Sequence, residues 1–521
     1  MTVEAIAAPT TPQRQTHRGF VVAALILAMF TAAIEGTIVA TAMPTIAGKL
    51  GSFELFSWVF SIFLLTQAAS IPIYGRLADM YGRKPIFIGG CSIFILGTVL
   101  CATAQSMPML IAFRAVQGIG AGSIIPISAT LIGDLFTIKE RARVQGWMSS
   151  VWGISSVAGP TTGGFIVDTI GWRWIFLLNV PLALLSMSVL IFFLHERLEK
   201  RQHKIDYAGS LLMVAATSTF LVFLLEGGKS WPWFSGASMG LLATALVTLA
   251  AFLYHENRTP EPLLPLSLFR SRLIAVASLI TLATGVITIG ISGNVPNFVQ
   301  GVHGESATVA GLALAGMTMG WPIASVTAGH VLVSKGFRFS VFLGAPPLLI
   351  SGIWLSTFNT HTTPLEVAGA TFVLGLAMGF ISTSIIVMVQ NAVDWTRRGV
   401  VTSTNMFMRQ MGSALGIAVL GALVNSQVHG LKVPGPNGSL VSTDALLDEN
   451  RRRALSPETI AQLSSGLTDG LHLAFLAILA MSLLAIAVIA LLPKTPVPHD
   501  RRPDAQSPDA ASPEPVESVS G

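Results

Sequence analysis

One acidic residue, Glu35, lies past the midpoint of an otherwise apolar run from Gly19 to Met43. A carboxylate at membrane depth is costly, and such residues are retained where a protein uses them. A buried carboxyl can hold a proton as a neutral acid or release it as a carboxylate, the chemistry that a proton-coupled carrier requires. A second ionisable group, Arg114, falls inside the run Met107 to Gly133. A cation there needs a partner or a water-lined cavity, and it can drive a proton off a nearby acid. Arg114 is therefore a candidate in the same chemistry, opposite Glu35; the alternative is a structural arginine bonded to backbone carbonyls. Asp134 sits near the end of its run and is expected to pair with Arg141 or Arg143. Asp168 and Glu226 are expected at run ends within reach of water, and His330 and His472 lie near run ends. From Leu273 onward no run carries a central carboxylate.

These side chains must be held by membrane helices. The chain has 521 residues, is 52% hydrophobic and 11% charged, and has a mean hydropathy of +0.68, outside the range of water-soluble globular domains. Runs long enough to span a bilayer occur at Gly19 to Met43, Leu55 to Tyr74, Ile86 to Thr103, Met107 to Gly133, Val144 to Asp168, Trp174 to Leu194 and Tyr207 to Glu226. They continue at Ala237 to His255, Leu273 to Phe298, Ala307 to Val331, Phe339 to Thr357, Glu366 to Met388, Val400 to Val424 and Leu471 to Leu492, fourteen spans in all. With the N-terminus inside, twenty-two basic residues fall in inner segments and seven in outer ones, which predicts both termini in the cytoplasm. The net charge of +5 and pI near 9.4 come from these scattered inner loops, so no nucleic-acid partner is expected. Cys91 and Cys101 lie about 15 Å apart along one helix at the usual rise, too far for a disulfide. No zinc-ligand spacing or nucleophile elbow is present, and Gly228-Lys229-Ser230 lacks the first glycine of a phosphate loop, with Phe223 in its place. Neither an enzyme nor a metal or cofactor site is expected.

The short-loop rhythm breaks three times, which divides the chain. Residues 1–18 form an N-terminal cytoplasmic tail, 19–194 a six-helix bundle, 195–206 a charged linker, 207–255 an inserted helix pair, and 256–272 a second linker with Pro260, Pro262 and Pro265. Residues 273–493 form a second six-helix bundle, interrupted by a long outer loop at 427–470, and 494–521 form a Pro-, Asp- and Ser-rich tail expected to be disordered. A weak internal echo supports two halves: Gly75, Gly82 and Lys84 in one match Gly329, Gly336 and Arg338 in the other, with Val333 where Asp79 aligns.

Several motifs carry a resemblance. Gly75-x-Leu77-Ala78-Asp79-x-x-Gly82-Arg83-Lys84, read as a loop, resembles motif A of the major facilitator superfamily; an acid, a tight glycine turn and opposing cations could lock one conformation and release in another. A plain basic inner loop is the simpler alternative. Arg114-x-x-Gln117-Gly118 resembles motif B, and Gly153-x5-Gly159-Pro160-x-x-Gly163-Gly164 resembles motif C, which in that superfamily accompanies antiporters. Packing alone would account for the small residues, with Pro160 expected to bend its helix. Ile34-Glu35-Gly36-Thr37 through Pro44 is similar to the first-span motif of the fourteen-helix drug:proton antiporter branch, the EmrB/QacA type, with Glu35 where Asp is usual and Ala40 where Asn is frequent. Trp172-Arg-Trp174-Ile-Phe-x-x-Asn179-x-Pro181 and Arg409-Gln-x-Gly412-x-x-x-Gly416 are similar to the same branch.

The resemblance implies an all-α integral membrane protein of the major facilitator fold, two six-helix bundles plus two inserted helices. It implies efflux of amphipathic compounds in exchange for protons at a bacterial inner membrane, powered by the proton gradient. A single central acid balances one positive charge, so neutral or monocationic substrates are expected ahead of dications. Met317, Met319, Phe380, Met406, Phe407, Met408 and Arg409 are candidate cavity residues, with lipid-facing or packing roles as the alternative for each apolar one. A dedicated exporter of a metabolite, siderophore or lipid, or a non-transporting sensor, stays open. So does contact of the long outer loop with a periplasmic adaptor or a lipoprotein.

Overall fold

The computed structural model describes residues 16–50, 55–196, 206–228, 231–260, 262–428, 433–434, 440–441, 443–446 and 452–494. The expected terminal tails lie outside the described residues, apart from their inner edges, as do residues 197–205 of the first linker and much of the long outer loop.

The chain runs through α1 (Arg18–Leu50), α2 (Phe56–Tyr81), α3 (Arg83–Thr103), α4 (Met107–Leu135), α5 (Ile138–Thr169), α6 (Arg173–Leu177) and α7 (Asn179–Phe193). It continues with α8 (Tyr207–Glu226), α9 (Gly236–Glu256), α10 (Arg272–Asn297), α11 (Ala307–Lys335), α12 (Phe337–Leu343), α13 (Ala345–Ser356), α14 (Pro364–Asn391), α15 (Arg398–Val428) and α16 (Pro457–Ala490). The pairs α6/α7 and α12/α13 each make one crossing, so every expected span falls on helix. Among the described residues thirteen helical stretches are long and apolar enough to cross a membrane, and α5 is the exception. Its 32 residues suffice in length, but Lys139, Glu140, Arg141 and Arg143 crowd its start and Ser149, Ser150, Ser155, Thr161 and Thr162 follow. A capping box of Thr137 and Glu140 fixes where α5 begins. The only strands among the described residues are a two-residue ladder in the outer loop, Val433 opposite Val441.

Helices overrun the apolar runs, because hydropathy marks where lipid ends rather than where hydrogen bonding ends. Thus α2 continues to Tyr81, so Gly75 to Tyr81 is helix and not the loop expected from sequence. Only Gly82, at φ 96°, turns the chain into α3. Gly336, at φ 86°, does the same between α11 and α12. The internal echo is thus one backbone device used twice, at a conformation glycine adopts without strain.

Packing in lipid relies on small residues that let backbones touch. A side chain at Gly120 of α4 would strike the backbone of Phe94 in α3, and one at Gly375 of α14 would strike Met317 in α11. One apolar core joins residues of α1 to α5 and α7, including Phe87, Phe94 and Leu131; another joins α10 to α16 around the ring cluster Phe298, Phe358 and Phe475. The inserted helix α8 covers a seam, with Leu221 and Leu224 against Leu65 and Ala68 of α2 and Met411, Ala414 and Ala418 of α15.

Two expectations are corrected. Glu226 is 3% exposed and not open to water, because the turn after α8 folds Trp233 back onto Phe223, with ring centroids 5.4 Å apart. Met319 does not line the interior: with Leu312 and Ile323 it forms an exposed apolar stripe along α11, at 64% exposure.

Gly120→Val should lower the thermal midpoint in detergent by the equivalent of about 1–3 kcal/mol through overpacking. Gly421→Val, where open space surrounds the position, should not lower it. Equal midpoints for both variants would contradict this account of the α3/α4 contact.

Candidate functional site

Glu35 is 0% exposed and Arg114 1% exposed, so neither finds water. Arg114 Nη1 lies 2.5 Å from Glu35 Oε1 and also donates to Gln117 Oε1 at 2.7 Å. Its Nε donates to the Val59 carbonyl at 3.2 Å, and its guanidinium sits 4.1 Å from the centroid of the Phe63 ring. The other Glu35 oxygen accepts from Asn179 Nδ2. Gln117 in turn donates to Thr98 Oγ1 at 2.9 Å. Side chains from α1, α3, α4 and α7 and a carbonyl from α2 thus form one buried network within a single half. Arg114 thus lies opposite Glu35 and also bonds a backbone carbonyl. Gly118 makes room for this, because a side chain there would collide with Thr66 and Phe63 of α2.

A second cluster ties the halves together at the end of the bundle where the basic residues gather. Asp79 accepts from Gly399 N at 2.9 Å and Val400 N at 2.8 Å, so an acid on α2 caps the N-terminus of α15. Arg83, 0% exposed, pairs with Asp79 at 3.0 Å, donates to the Trp395 carbonyl at 2.8 Å and lies 4.0 Å from the Trp395 ring centroid. Its Nε is 3.0 Å from Asp134 Oδ2, an ion-pair contact without hydrogen-bond alignment. Asp134, expected beside Arg141 or Arg143, is bonded by Arg83 and, at 3.2 Å, by Arg398. Arg398 also donates to the Gly133 carbonyl, and Gln390 to the Ala129 carbonyl at 3.0 Å, so α14 and α15 grip the end of α4. Lys84 turns away: its Nζ caps α7 through the Ile191 and Leu194 carbonyls at 2.7 and 2.6 Å.

The motif C glycines line contacts on two sides of α5. A side chain at Gly153 would meet Thr318 of α11 and one at Gly159 would meet Thr37 of α1, whereas Gly164 faces open space and Gly163 is buried. Helix α5 runs unbroken through Pro160. Met317 and Met406, at 8% and 9% exposure, are packed in the second core, and Phe407 packs against it. Phe380, Met408 and Arg409 are partly exposed. Sequence reasoning missed the roles of Asn179, Thr98, Gln390 and Trp395. Asn179 had a signal, a lone amide in the run Trp174 to Leu194; the others are small or common residues whose partners are remote in the chain.

Removing one member of a buried pair strands a charge, at a cost of about 3–5 kcal/mol. Arg114→Ala should therefore lower the melting midpoint sharply, and adding Glu35→Gln should restore part of the loss. Purely additive effects in this double-mutant cycle would contradict the pairing.

Residues 25–417 match the family model described as Major Facilitator Superfamily. The chain is 33% identical over 491 residues to "Multidrug transporter protein MdtP" of Bacillus subtilis (strain 168), covering 89% of this chain and 90% of that one. It is 37% identical over 414 residues to "Multidrug resistance protein 3" of the same organism, covering 80% and 81%. Among solved structures, the human organic anion transporter MFSD10 (TETRAN) superposes with a TM-score of 0.62 at 14% identity, covering 91% of this chain and 100% of that one, a likeness of fold alone. With the helix order and packing above, these matches establish that the chain belongs to the major facilitator superfamily.

Proposed function

We propose that this protein is a multidrug exporter that moves amphipathic compounds outward in exchange for protons. The observation that carries the reading is the Glu35–Arg114–Asn179 network, a titratable acid with no water contact, set in one half while a separate cluster latches both halves at one end. The two relatives named for multidrug transport and resistance support export of varied compounds.

In this reading residues 19–194 and 273–493 rock as two bodies about the substrate, with 207–255 as a peripheral pair. The basic bias of twenty-two against seven supports a cytoplasmic position for the latched end, at a bacterial inner membrane, and in this reading the described state is closed to the cell interior. Opening inward requires Asp79 to release the α15 N-terminus and Arg83 and Arg398 to release their partners. In the outward-open state the substrate leaves and Glu35 takes a proton; in the inward-open state the proton departs and substrate binds. Asn179 suits both forms of the acid. Its Nδ2 donates to the carboxylate, and its Oδ1, buried and without a hydrogen-bond partner, can accept from the protonated acid after the amide rotates. Each charge crossing with the potential contributes about 2.3 kcal/mol per 100 mV, so exchange for protons can concentrate a neutral compound outside. Glu35 is already engaged by Arg114, so a substrate cation gains from it only by displacing that arginine, whereas a neutral amphiphile needs no exchange.

In proteoliposomes, wild type should release protons when phenylnaphthylamine, a neutral amphiphile, is supplied, and Glu35→Gln should lose this release at least tenfold while still binding the dye. Normal proton exchange by Glu35→Gln would overturn the coupling role. Asp79→Asn should raise the population open at the basic end, read as longer spin-label distances across that end; an unchanged distribution would count against the latch.

A further inference from the structure

Several arginines that pack within or between the helix ends donate to the protein. Arg83, Arg114, Arg141 and Arg398 each donate to carbonyls or side-chain oxygens. Arg409 differs. Among the described residues its guanidinium has no hydrogen-bond or ion-pair partner, although it sits eleven residues into α15, about 16 Å from the start of that helix. A cation at that depth is retained against a solvation cost and is by default a functional group.

Its backbone is held firmly. Gly285 of α10 lies against the Arg409 carbonyl, and Gly412 of α15 lies against the Leu282 carbonyl, so α10 and α15 touch at this level. Its side chain leaves from the face of α15 that carries Thr402, Met406 and Ser413 at helical spacing. Two turns toward the basic end, Thr402 on this face meets Gln390 of α14, whose amide also bonds the Ala129 carbonyl of α4 in the other half. Arg409 therefore stands, partly exposed, on the face of α15 that two turns away meets α14 and, through Gln390, α4 of the other half.

Among the described residues no acid forms an ion pair with it. Helices α10, α11 and α15 contain no Asp or Glu, and the one in α14, Glu366, is bound in the capping box at the first turn. Glu35 is held by Arg114 and Asn179, and Asp79 and Asp134 by the latch. Among the described residues Arg409 is thus a positive charge at mid-membrane without a paired acid, and a planar guanidinium with five donors suits an oxyanion.

We infer that Arg409 is a recognition point for the substrate, pairing with a carboxylate or sulfonate on a monoanionic amphiphile. This rests on the export reading above and adds anions to the neutral compounds expected there. The inside-negative potential favours outward movement of an anion.

The test uses two dyes that differ by one sulfonate, anilinonaphthalenesulfonate and phenylnaphthylamine, in proteoliposomes of the full chain. Wild type should export both, and Arg409→Gln should reduce the sulfonate-to-amine ratio of kcat/KM at least tenfold, with Arg409→Lys keeping most of it. An unchanged ratio in Arg409→Gln, or a wild type that exports the amine and not the sulfonate, overturns the inference. Export of neither dye by wild type overturns the export reading itself. Should Arg409→Gln fail to fold, competition in wild type decides: inhibition of amine export by the sulfonate is the expected result, and its absence is the contrary one.

Discussion

A carboxylate in the middle of an apolar helix has to be answered, and the first half of this protein is arranged around the answer. Glu35 draws Arg114 from α4 and Asn179 from α7. Arg114 then requires more than one acid can provide, since a guanidinium carries five donors. The Val59 carbonyl and the Gln117 side-chain oxygen accept two more of its bonds, and the guanidinium lies over the Phe63 ring. Because polar groups in lipid must be satisfied within the protein, these partners fix how five helices sit relative to one another. The same demand gives the site its leverage: changing the charge on one oxygen of Glu35 alters the footing of Arg114, and so of every helix Arg114 touches.

The latch at the basic end follows different physics. There the groups bridge two halves rather than knit one, and the central element is an acid on α2 at the positive end of the α15 dipole. Arg83 and Arg398 hold Asp79 and Asp134 in place while reaching the Trp395 and Gly133 carbonyls. Contacts of this kind are made or broken as a set, which suits a two-state element. Glu35 and the latch share α2, which supplies the Val59 carbonyl near one end and Asp79 near the other. That helix is the physical route by which protonation at one site is expected to bear on closure at the other.

How much of this was legible in the sequence depends on the range of the interaction. The spans were legible, because apolar length is a local property, and so were Glu35 and Arg114, because a charge inside an apolar run stands out wherever its partner lies. The loop reading of Gly75 to Tyr81 failed, because the helix outlasts the apolar run and only Gly82 ends it. The sequence reading of Asp134 was incomplete for another reason: nearby basic residues are conspicuous in a sequence, whereas Arg398, which pairs with it, lies more than 260 residues away. Gln390 and Trp395 carried no signal of their own, since an amide or an indole at a helix end is unremarkable until the opposite half is in place.

The central claim is that Glu35 alternates between a neutral acid and a carboxylate while remaining out of contact with bulk water in the latched state. Infrared difference spectroscopy of the reconstituted protein tests this most directly, by following the carboxylic-acid carbonyl stretch as pH is lowered and substrate is added. The account predicts a band that grows on acidification, fades on substrate binding and is absent in Glu35→Gln. A wild-type spectrum in which no such band depends on Glu35 would contradict it.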